Sequence, residues 1–239
     1  MRAAVPIGGG GVTAGAERAL TRRGLLLSGL ALVLLAGIYV MAFAATPIER
    51  SQGFPQKIFY LHVPAAWCAL LGFTVVGVVS LLYLWLKDPR LDLFAASAAE
   101  VGVIFSIVML TSGPLWARPV WGTWWQWDAR LTLTLLLFFL FVGYLSLRSA
   151  VHDPAERARF SAVVALLGLV LVPFVHLSVY LFRTIHPTPV VLKPSAPTLP
   201  GSMLTVLLLS LLVHTLLYAG LVLARYGLAR AAAKEGTHG

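Results

Sequence analysis

The chain has 239 residues, of which 59% are hydrophobic and only 11% charged. A soluble domain carries roughly 25% charged residues, so this is the composition of an integral membrane protein. The net charge of +9 does not mark a nucleic-acid binder, because no basic patch lies between aromatic readers. It is spread over loops and termini, where membrane proteins use it to set topology. The single cysteine, Cys68, lies in an apolar stretch. It reads as a small buried hydrophobe and excludes a disulfide framework, a zinc cluster, a CxxC pair and a CxxCH haem attachment.

Six apolar runs follow one another at 24–45, 63–86, 92–116, 131–148, 160–182 and 202–224. Each has about the 20 residues needed to cross a bilayer core, and helix is the form that leaves no backbone group unsatisfied in lipid. The expected fold is an all-α bundle of six transmembrane helices. Prolines punctuate the connections, and no internal repeat is evident. The domain reading is a flexible N-terminal tail over 1–23, a six-helix domain over 24–225 and a C-terminal tail over 226–239. The run after Arg22-Arg23 imitates a cleavable signal peptide. Its apolar stretch is nearer 20 residues than the about 7–15 of a signal, so it reads as a retained first helix.

With the N-terminus inside, twelve Lys and Arg fall on inner segments and six on outer ones. That bias places both termini in the cytoplasm. Three features then share the outer side. The segment before helix two ends in Lys57-Ile-Phe-Tyr-Leu-His62-Val-Pro64. Between helices three and four, five of the seven tryptophans fall in Trp116–Trp127, where membrane anchoring needs one or two. After helix five comes Arg183-Thr-Ile-His186-Pro187.

Indole is large, flat and carries one N–H donor; a cluster of indoles beside an aspartate and two arginines suits a flat, apolar ligand with a charged edge. Neutral imidazole is the commonest metal ligand and binds haem iron axially. Two histidines on opposite sides can hold the iron, indoles can cover the macrocycle, and Lys57, Arg118, Arg130 and Arg183 stand on the outer side for the propionates. Plainer readings fit the same residues. His62 and His186 can be interfacial, and Arg118 and Arg130 can snorkel to headgroups. Inside the helices, His176 and His214 can be hydrogen-bonded to neighbours, and Glu100 must be paired, protonated or cavity-facing.

Trp121-Gly-Thr-Trp-Trp-Gln-Trp-Asp128-Ala-Arg-Leu-Thr132 resembles the tryptophan-rich signature of haem-handling proteins in cytochrome c maturation. Lys57 to Trp67 resembles the first histidine segment of the CcmC family, and Thr111 to Trp121 its approach to the signature. The Asp-Ala-Arg-Leu-Thr ending, the length and the six helices fit CcmC rather than the CcsA branch or the larger CcmF. The sequence departs at the second histidine, where Leu181 and Phe182 stand in place of two tryptophans and Pro187 in place of glutamine.

The resemblance implies a multi-pass protein of the bacterial inner membrane with no bond-making chemistry of its own. It implies haem b as transient cargo at the outer face, with His62 and His186 as axial ligands. Trp121, Trp124, Trp125, Trp127 and Asp128 form the plate, and Arg130 pairs with a propionate or orders the loop. The implied partners are a CcmE-like haem chaperone, a CcmD-like small membrane protein and CcmA/CcmB-like ABC transporter subunits. The competing classes are a haem permease, which needs a polar path through the helices, and a bis-histidine redox protein, which favours histidines within helices.

Overall fold

The computed structural model describes residues 10–189, 191, 193 and 195–235. Six long helices run in order: α1 Gly10–Ala44, α2 Phe59–Leu86, α3 Pro89–Trp121, α4 Ala129–Ala150, α5 Pro154–Leu181 and α6 Gly201–Glu235, with a short 3-10 helix Phe54–Ile58 leading into α2. All six are long and apolar enough to span a membrane, and among the described residues there is no strand. Several helices outrun the apolar stretches that announced them. α1 starts at Gly10 and α6 reaches Glu235, so the described parts of both expected tails are helical. Residues 1–9 and 236–239 lie outside the described residues.

Three helices start on the same device. Asp88, Asp128 and Asp153 are N-caps whose carboxylates accept from Arg90, Leu131 and Glu156 backbone N–H groups at 2.9, 2.9 and 2.8 Å. Each satisfies a donor that the first turn leaves orphaned. α3 stops at Gly122, whose φ of 75° is the left-handed conformation that glycine adopts without a Cβ clash.

α2 packs on α3, α5 and α6, while α4 lies against α5 and α1 against α6. The α1–α6 contact is nearly backbone to backbone. A Cβ on Gly24 would lie 2.3 Å from the Ala224 nitrogen, and one on Gly220 would lie 2.7 Å from Ser28 Oγ. In lipid, where apolar surface gives helices no reason to prefer each other, such close approach of small residues is what holds a pair together. The remaining face of α1, with Leu25, Leu26, Leu30 and Val33, is exposed.

Pro64 lies inside α2 and has no N–H for the Tyr60 carbonyl one turn earlier. Ser210 of α6 donates its hydroxyl to that carbonyl at 2.8 Å. The proline thus creates an acceptor inside the bilayer, and the neighbouring helix satisfies it.

Ion pairs gather at the end where α1, α3 and α5 begin. Arg148 grips Asp92 with two hydrogen bonds of 2.5 and 2.8 Å, Lys234 and Arg230 reach Glu17 at 2.6 and 3.3 Å, and Arg225 pairs with Glu100 in a two-point contact. Glu100 is therefore a paired carboxylate. The opposite end carries the histidines and tryptophans.

Candidate functional site

Four segments converge at that opposite end: the first turn of α2, the last turns of α3, the loop 122–128 and the loop after α5. They form a partly open chamber lined by both His62 and His186 together with Trp116, Trp121, Trp124, Trp125 and Arg130. Small-molecule sites combine apolar walls with a few placed polar groups. This chamber fits that description.

The hydrogen bonds fix the tautomers of both histidines. Ser112 has a single hydroxyl proton, and the Val108 carbonyl takes it at 2.6 Å. The Ser112 oxygen 3.0 Å from His62 Nδ1 must therefore accept, which puts the His62 proton on Nδ1. His186 Nδ1 lies 2.8 Å from the carbonyl of Pro187, and a carbonyl can only accept. In both rings Nε2 is left as the lone-pair nitrogen, the form a metal needs. Burial pushes the His186 imidazole down to about 3, and the charge of Arg130 pushes the same way. The ring is neutral across the physiological range.

α3 supplies a cradle for His62. Besides Ser112, it brings Gly113, where a Cβ would sit 3.1 Å from His62 Cε1. One turn on, Trp116 meets the imidazole edge-on, with ring centroids 5.8 Å apart. Its indole N–H donates to Gln52 at 3.0 Å, and Trp121 leans on it at 6.2 Å. Sequence reasoning placed Trp116 in the approach to the plate and did not single out Ser112 or Gly113. Their spacing from Trp116 on one helix was the available signal.

Trp121, Trp124 and Trp125 line the chamber; Trp127 and Asp128 do not. Trp127 is exposed and packs edge-on against Trp125 at 5.8 Å. Asp128 works on the chain itself. One carboxylate oxygen caps α4, and the other accepts from the Thr184 hydroxyl, in a short contact, and from the Ile185 N–H at 3.1 Å. Asp128 therefore ties the His186 loop to the head of α4.

Of the four cations expected at this end, only Arg130 lines the chamber. Its Nη1 is buried with no hydrogen-bond partner among the described residues, and so is the Trp125 indole nitrogen. A buried donor left unpaired is costly, so an acidic group on a ligand would find two donors waiting. Lys57 is not available for that role. Its ammonium donates to the carbonyls of Ala42, Thr46 and Pro47 at 2.8, 2.7 and 3.2 Å, which makes it a cationic cap on the end of α1. Arg118 turns back to the Gly122 carbonyl, and Arg183 is exposed. Leu181 and Phe182 are exposed as well, so the departure from the tryptophan pair falls on the outside of the bundle and not on the chamber wall.

Six spanning helices with a two-histidine, indole-lined chamber at one end define a multi-pass membrane protein. The family of Heme exporter protein C matches residues 16–236 of the chain, and the chain belongs to that family. It is 38% identical over 206 residues to Heme exporter protein C of Bradyrhizobium diazoefficiens, covering 86% of this chain and 78% of the relative. Over 203 residues it is 36% identical to the protein of the same description from Haemophilus influenzae, covering 84% and 82%. Heme exporter protein C of Escherichia coli K12 is 36% identical over 154 residues, covering 64% and 63%. Its place is the bacterial inner membrane, which it crosses several times.

Proposed function

We propose that this protein holds haem at the outer, periplasmic face of the membrane, between His62 and His186, and presents it to a CcmE-like haem chaperone. The coarser statement, a haem-handling role in cytochrome c maturation, follows from family membership. One observation carries the finer reading: two histidines on one chamber, each with Nδ1–H engaged and Nε2 free. Neutral Nε2 atoms are axial donors for haem iron. Trp121, Trp124 and Trp125 cover the macrocycle, Trp116 backs His62, and Arg130 with the Trp125 N–H receives a propionate. Asp128 holds the second ligand loop in place.

The task is binding and release without bond-making. The cargo is haem b, and the indole loop 122–128 leaves the site open toward a partner. CcmD-like and CcmA/CcmB-like subunits complete the assembly by analogy with the family. A permease is less well supported, because Glu100 is paired with Arg225 and His214 is enclosed by Tyr39 and Ser210. The test is to co-purify the protein with its chaperone and record the optical spectrum. His62→Ala and His186→Ala are each expected to abolish the six-coordinate haem spectrum. If both leave it unchanged, the axial assignment fails.

A further inference from the structure

A second cleft continues from the chamber. The two share His62, Ala66, Trp116, Arg130 and His186. From there the cleft runs down between α2, α5 and α6, past Trp67, His176, Leu212 and Thr215. At 1.5 Å per residue, Trp67 lies ~12 Å below the start of α2 and Thr215 ~21 Å below the start of α6. A bilayer core is about 30 Å thick, so the cleft reaches the depth of the acyl chains. Leu208 and Leu212 on its α6 wall are themselves exposed, so it opens sideways toward lipid.

Its polar groups are mostly spent. The Trp67 indole donates to Thr215 at 3.1 Å, and the Thr215 hydroxyl donates to the Leu211 carbonyl at 2.7 Å. The wall they form is chemically apolar. His176 is the exception. It is half-buried, stands ~8 Å from the outer end of α5 by helical rise, and makes no hydrogen bond with the described residues; its one ring neighbour is Tyr180 at 6.4 Å. A half-buried imidazole in an apolar wall, with no partner among the described residues, is open to an occupant.

Building on the haem-holding reading above, we infer that this cleft is the lateral entrance for the cargo. Haem dissolved in the bilayer enters between α5 and α6, and His176 coordinates its iron in passing. His62 and His186 then replace His176 by ligand exchange, each neutral imidazole offering a nitrogen lone pair, with no proton or electron transferred. Continuity with the chamber, walls that match an apolar macrocycle and one unpaired ligand midway select haem over an acyl chain, which has no use for an imidazole.

The experiment uses the full chain in lipid nanodiscs and follows the Soret band after mixing with haem-loaded liposomes or with haem on albumin. Leu212→Trp, which fills the cleft, and His176→Phe, which keeps the wall apolar, are both expected to slow loading from liposomes by on the order of tenfold. The final spectrum and loading from albumin should stay unchanged. An unslowed Leu212→Trp overturns the entrance, whatever the His176 variant does. Slowing by Leu212→Trp alone overturns the ligand role of His176, and a changed final spectrum in His176→Phe would make it part of the holding site instead. Failure of the holding site itself reads out separately, as an unaltered spectrum in His62→Ala and His186→Ala.

Discussion

Ser112 has one proton to give, and giving it to Val108 turns its oxygen into the acceptor that fixes His62. Partners of this kind, one step removed from a metal, typically change affinity by about 10–100-fold when lost. Ser112→Ala is expected to lower haem affinity in that range while the spectrum stays six-coordinate, and to move the reduction potential upward as the ligand becomes less basic. Titration with haem and a redox titration check both; an unmoved potential would leave Ser112 a structural residue. His186 yields a pH prediction. Its imidazole is held down to about 3 against an ordinary 6.5. Between those values the unfolded chain binds a proton that the folded chain does not, so stability rises with pH across the window and is lost as pH falls through it. Haem ligation should therefore be flat from about pH 8 to 5, and a loss centred near 6.5 would contradict the half-buried, neutral ring. Little of this was legible beforehand. The sequence marks the histidines but not which nitrogen carries the proton, since that depends on an acceptor 50 residues away.

Among the elements, the loop after α5 is the most dependent on its neighbours. It is rich in proline, irregular in its described residues, and carries one proposed ligand. Its tether is the Asp128 carboxylate, which reaches Thr184 and Ile185 while capping α4. A double-mutant cycle of Asp128→Ala and Thr184→Val should give a coupling of about 0.5–3 kcal/mol in thermal or denaturant unfolding. Both single variants should weaken haem binding although neither side chain lines the chamber. Additive effects would show that the tether does not act as a unit. The tryptophan motif, read along the chain, makes Asp128 look like part of the plate. The fold gives it a different task because capping geometry turns its carboxylate toward the backbone of α4 and of the incoming loop.

At the scale of the whole molecule, the six helices alternate so that the chamber closes at one end and the ion pairs gather at the other. From the twelve-to-six distribution of Lys and Arg, the chamber is expected outside. With the buried Cys68 replaced in a Cys68→Ala background, Trp127→Cys should react with a membrane-impermeant maleimide on intact cells. His152→Cys, on the α4–α5 connection, should react only after permeabilisation. The reverse pattern would invert the topology and remove the periplasmic site.

By itself the sequence determined the class and the span count, because a bilayer admits few backbone solutions and hydropathy reports them directly. It also marked both histidines and the indole cluster, because these residue types are out of place in ordinary membrane boundaries. Only the tertiary structure decided which cation faces the chamber. Lys57, Arg118, Arg130 and Arg183 are alike in sequence as exterior charges, yet Lys57 caps α1, Arg118 turns to Gly122 and Arg130 has a buried nitrogen with no partner among the described residues. Arg118 finds its carbonyl four residues on, whereas the carbonyls that take up Lys57 belong to the end of α1 and reach it only once the helices have packed.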